Sequence, residues 1–180
     1  MKRKVCFVED IEAGRIWYDG YMNCPEGYRP LDILNKPPKM SLSYGFSKID
    51  DFIKGNILLE ECKISKLDRG RYDFQTADEL YIDLNRCWGF IDTMPCRPNP
   101  YFKDIAEKIY APRKVRIELE NGANIEGIVW GLEMKLRDNS TSYIGVKNPQ
   151  TFPFKPLGRQ KKFFFAFNKN YLKDYEFLGF

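Results

Sequence analysis

Apolar residues along this chain come in short runs, some alternating with polar residues and some at helical spacing. KVCFV (4–8) and RIWYDGYM (15–22) are dense in β-branched and aromatic residues and predict two strands, after which CPEGYRP (24–30) reads as a turn-rich connection. NKPPKM (35–40) reads as a proline-rich loop. Ser47 and Asp50 have capping-box spacing, and Ile49, Phe52 and Ile53 share a face before Gly55, which predicts a short helix. ILLEECKISKL (57–67) predicts a strand that ends at the turn Asp68-Arg69-Gly70. Thr76 and Glu79 repeat the capping box, and Leu80, Leu84 and Trp88 come next, four residues apart, so a helix is expected over about 77–87.

Three prolines between Met94 and Pro100 interrupt regular structure and set a boundary, with a small α+β unit expected over 1–98 and a β-rich unit over 99–180. The second unit opens on a predicted helix. Asn99 can cap it, Pro100 suits its first position, Phe102, Ile105, Ala106 and Ile109 line one face, and Pro112 stops it. Then Val115, Ile117 and Leu119 alternate into Asn121-Gly122 and return through Ile125 and Val129, the pattern of a two-residue hairpin. Further strands are expected near 142–147, over KKFFFAFN (161–168) and over YEFLGF (175–180).

The chain has no histidine among its 180 residues, which removes the usual general base, the Ser-His and Cys-His dyads and imidazole metal ligands. Cys6, Cys24, Cys62, Cys87 and Cys96 form no C-x-x-C pair and are odd in number, so they are expected as buried reduced thiols. Neither a metal site nor a cofactor is expected. Nothing approaches the roughly 20 apolar residues of a membrane helix, and the apolar run from Val5 to Val8 is too short for a secretory signal, so a cytoplasmic location without membrane contact is expected.

Charge divides unevenly. Residues 1–98 carry 15 Lys+Arg against 16 Asp+Glu, residues 99–180 carry 14 against 9, and the second part holds 15 of the 28 aromatic residues. Cations neutralise phosphate and ring faces stack on bases, so this half is where nucleic acid or a nucleotide would bind. Lys155, Arg159, Lys161 and Lys162 are the expected phosphate ligands, with Lys135 and Arg137 adding charge and Phe164 or Tyr143 stacking; the same lysines could instead be gatekeepers around an aggregation-prone strand. Phe163, Phe165 and Phe167 fall on the core side and Phe164 on the other. Trp17, Tyr18, Tyr21 and Tyr28 gather around turns and are expected at a protein interface. Glu133-x-Lys135, at the end of a strand, has the spacing of a metal-dependent nuclease, although Glu61-x-Lys63 matches it equally well.

Val115-x-Ile117-x-Leu119-x-Asn121-Gly122-x-x-Ile125-x-Gly127-x-Val129-x-Gly131-Leu132-Glu133, preceded by the helix signal at 100–109, resembles the first motif of the Sm-like (LSm/Hfq-type) family of small ring-forming barrels. The likeness covers about 100–136. It implies an Sm-like or SH3-like small barrel for the second unit, so the expected class is α+β: a small α+β unit, then a helix and about five strands in a barrel. In the family a ring and an asparagine that hold an RNA base come after this motif, whereas this chain has Met134-Lys135-Leu136-Arg137; Ile144-Gly145 also lacks the family's neighbouring basic residue.

The composition and the motifs together point to a non-enzymatic protein that binds nucleic acid or nucleotide phosphates. The alternative is an inhibitor or adaptor that blocks the surface of a protein partner, including a partner that handles nucleic acid. A monomer or homodimer is expected rather than a ring, because 98 preceding residues would crowd one.

Overall fold

The computed structural model describes residues 2–24, 29–35, 55–92, 112–139, 141–150 and 164–179. In these residues ten strands form one antiparallel sheet: β1 (Lys2–Ile11), β2 (Gly14–Asn23), β3 (Asn56–Asp68), β4 (Arg71–Asp83), β5 (Cys87–Asp92), β6 (Pro112–Leu119), β7 (Asn124–Trp130), β8 (Tyr143–Gln150), β9 (Phe164–Asn168) and β10 (Leu172–Phe177). Their spatial order is β10-β6-β7-β8-β9-β5-β1-β2-β3-β4. Two short helices join them, α1 (Pro30–Leu34) and α2 (Leu132–Arg137), with a 3-10 turn at Lys169–Tyr171. No helix among the described residues is long and apolar enough to cross a membrane.

This overturns the α+β expectation and the barrel with it: the sheet is open, with β4 and β10 at its two ends. The helix expected over 77–87 is instead most of β4, the turn 84–86 and the start of β5. Arg69 and Gly70 both adopt positive φ, 50° and 76°, the signature of a two-residue hairpin turn whose twist matches the flanking strands. That turn aligns Asp68 with Arg71, and the pairing runs to Asn56 opposite Asp83. Thr76 and Glu79, read as a cap, lie opposite Lys63 and Glu60. Leu80, Leu84 and Trp88 keep their spacing of four across strand, turn and strand, so tertiary pairing decided what local spacing left open. The helices expected at 47–53 and 100–109 lie outside the described residues, as does the 94–100 boundary itself. β5 pairs with β9, so one sheet takes strands from either side of that boundary.

Strands with continuous apolar runs sit in the middle. Val5, Cys6, Phe7 and Val8 of β1 are fully buried, and every residue of β5 is buried, because both faces there are covered. One core layer holds Phe7, Leu59, Phe90, Tyr143 and α1. The other holds Trp17, Trp88, Phe165 and Phe167 beneath β6, β7 and Leu132 of α2. The β6–β7 hairpin turns through Asn121-Gly122, but with a three-residue loop, Glu120–Gly122, in place of the expected two: the Leu119 amide donates to the Ala123 carbonyl, and Gly122 alone in the loop takes a positive φ, 83°. β8 joins the two parts of the sheet: Tyr143–Val146 pairs with β9, while Lys147 and Gln150 pair with β7 after a register shift. The sheet thereby folds over its own centre, and Asn121 at the hairpin tip donates to Asp10 at 2.9 Å.

Candidate functional site

Arg29 and Asp32 begin the site because they begin α1. The Arg29 backbone N–H donates to Asp32 Oδ2 at 3.0 Å, and the guanidinium donates to both carboxylate oxygens at 2.9 and 3.2 Å. Pro30 takes the first helical position, where no N–H is needed. Asn35 at the other end behaves like one more residue of the sheet: its side chain donates to the Tyr143 carbonyl at 2.7 Å and accepts from the Ser142 and Tyr143 amides. The helix is thus pinned against β8.

Phe164 starts β9 on that same face. Gly145, opposite Ala166 and so diagonal to Phe164 across the β8–β9 pair, has no side chain, and a methyl there would land on the Phe164 ring and 3.0 Å from Leu31. The bare backbone lets the ring lie flat against the sheet, and the Arg29 guanidinium covers it at 5.6 Å from the ring centre. Asp92, opposite Phe164 in the β5–β9 ladder, forms a buried ion pair with Arg3 at 3.3 Å.

Lys135 of α2 completes the cluster. Its chain is partly buried, and burial together with the nearby Arg29 charge pushes its ammonium down to about 8. It makes no ion pair among the described residues, whereas Arg29 has Asp32. Arg137, two residues on, is exposed at the last turn of α2. The result is an aromatic ring, an arginine and a partly buried lysine, and among the described residues only the arginine has a carboxylate.

The chain matches no family model, no curated protein and no solved structure.

The structure treats the other expected site residues differently. Tyr143 is buried, and its hydroxyl points to the carbonyls of Leu84 and Cys87 at 3.0 and 3.1 Å, so it has no face for a base. Phe164 does point away from Phe165 and Phe167, yet the far side is a second core rather than solvent, and Arg29 already occupies its open face. Trp17 is buried in the other layer, and Tyr18 is half-buried with its hydroxyl on Glu9 at 2.6 Å, so neither forms an open interface. Tyr21 is partly buried. Tyr28, Lys155, Arg159, Lys161 and Lys162 lie outside the described residues. Glu133 and Lys135 are on a helix, not at a strand end, because Gly131 turns the chain through a left-handed conformation after β7. Among the described residues no three of His, Cys, Asp and Glu converge as metal ligands.

Sequence reasoning missed Arg29, although Pro30 at a helix start with an acid two residues later was a readable signal. It also missed Tyr72 and Phe74. Their alternation with polar residues directly after Gly70 marks a strand, but the capping-box spacing at 76–79 drew the opposite reading.

Proposed function

We propose that this protein binds phosphate-bearing ligands, nucleic acid or a nucleotide, at the cluster of Arg29 and Lys135 beside Phe164, with the exposed Arg137 of the same short helix adding charge, and that it does so without catalysing a reaction. The observation that carries this reading is the Lys135 ammonium: it is drawn partly out of water, beside a second cation, and no carboxylate among the described residues compensates it. Such a charge is costly alone and favourable beside an anion. Arg29, held by Asp32 and by the ring beneath it, offers a preorganised donor. In sequence, Lys161 and Lys162 come just before the strand that carries Phe164, so further cations enter the same end of the chain.

Fluorescence anisotropy with labelled single-stranded RNA and DNA, and calorimetry with ATP and pyrophosphate, test the reading at low salt. Affinity should fall with salt, and Lys135→Gln should weaken it about fivefold to tenfold while reducing the salt slope by roughly 0.7 for a single strand. No binding to any of these probes, or binding that Lys135→Gln and Arg137→Gln leave unchanged, would show the reading wrong.

A further inference from the structure

The opposite end of the sheet carries a surface of another kind. β4 is the last strand, and no described strand pairs with its outer side, so alternate N–H and C=O groups along its 13 residues face outward. Along the sheet it lies five strand spacings from β9, which carries Phe164. Tyr72 and Phe74 project beside that free edge, 49% and 69% exposed, with their rings stacked at 6.0 Å and 5°. The register places them opposite Leu67 and Ser65, which makes a small apolar shelf at the rim.

Beyond the shelf the edge is acidic. Asp78 and Glu79 are exposed and have no cationic partner among the described residues. Glu79 faces Glu60 across the pair, and the lysine that serves Glu60 and Glu61, Lys2, comes from the other side. Along β4 four acids, Asp73, Asp78, Glu79 and Asp83, oppose the single base Arg71. Nor does β4 contain the prolines or lysines that commonly blunt a free edge.

We propose that the outer edge of β4 is a docking strand for an extended, basic segment of a partner protein, which adds to the sheet as an eleventh strand. Main-chain hydrogen bonds supply the affinity, Tyr72 and Phe74 hold an apolar side chain of the segment on one face, and its lysines or arginines meet Glu79 on the other, with Asp78 adding to the negative field of the edge. Carboxylates along the edge repel phosphate, which sets this surface apart from the anion cluster. They equally oppose a second copy of the chain, since two such edges would bring acid against acid.

Amide spectra of the 15N-labelled full chain test this, with a nine-residue peptide of alternating valine and lysine as the probe. Shifts should be confined to β4 and its immediate neighbours. Affinity should fall about tenfold with Phe74→Ser or with Asp78→Lys and Glu79→Lys together, and should weaken with salt. An alternating valine–glutamate peptide should not bind, nor should the valine–lysine peptide with its alternate amides methylated on nitrogen. Lys135→Gln should leave the binding intact, which separates this site from the phosphate site. The absence of β4 shifts at millimolar peptide, or equal binding of the glutamate peptide, overturns the proposal. So does a concentration-dependent dimer that Phe74→Ser dissolves, because the occupant would then be a second copy.

Discussion

Lys135 ties a single residue to both stability and binding. In the folded chain its ammonium loses its proton near pH 8, whereas in the unfolded chain it keeps it up to the ordinary lysine range. Between those pH values the unfolded chain holds more protons, so stability rises with pH across the window, and the cost of the buried charge is present in full below it. Lys135→Met should therefore stabilise the protein by about 1–3 kcal/mol at pH 7, with an advantage that shrinks towards pH 10; urea melts at the two values measure it. Phosphate-ligand affinity should run the other way and decline as pH passes 8. Arg3 and Asp92 obey a different rule, since both are buried and they pair with each other. Asp92→Ala leaves a buried guanidinium and should cost about 3–5 kcal/mol in a denaturant melt. Lys135 and Arg137 were legible in the sequence as charge near a strand. Their use was not, because the setting of Lys135 depends on Arg29, a hundred residues away.

At the level of elements, legibility tracked how locally each one is determined. β1, β2, β3 and the β6–β7 hairpin were readable, since continuous apolar runs, alternation and Asn121-Gly122 each carry one meaning. β4 was misread, because a capping box and apolar residues four apart also fit a strand that turns into the next one. The hairpin turn between β3 and β4 decides against the helix, and it can be tested alone. Gly70→Val places a β-branched residue at φ 76° and should cost about 1–2 kcal/mol, while Arg69→Asn, at φ 50°, should be neutral or stabilising. Thermal melts of the two variants should move apart accordingly. α1 escaped detection for a different reason: five residues hold too little periodicity, and the β8 residues that seat it, Tyr143 and Gly145, belong to a distant stretch of the chain.

The whole molecule depends on pairings between distant segments. β5 lies between β1 and β9, and its second face is covered by residues from β6 and β7. A fragment of residues 1–98 should expose the outer edge of β5 along with Cys6, Val8 and Trp88, and should be insoluble or exchange its amides freely. A fragment that stays monomeric with protected β5 amides would show that the first 98 residues fold alone. Non-local pairings of this kind close large loops before they gain contacts, so the intact chain should fold in milliseconds to seconds rather than microseconds.

The two core layers are also chemically distinguishable from within. Cys6 lies in one layer, while Cys24, Cys62 and Cys87 lie in the other, and all four are buried and outside any disulfide. With Cys96 replaced by serine, alkylation of the native protein becomes a clock with two dials, because a reagent reaches each sulfur only when its own layer opens. If the folded-over sheet opens as one cooperative unit, the four thiols will be modified at a single rate that tracks global stability. If β6 and β7 lift away first, Cys6 will be consumed while the other three survive.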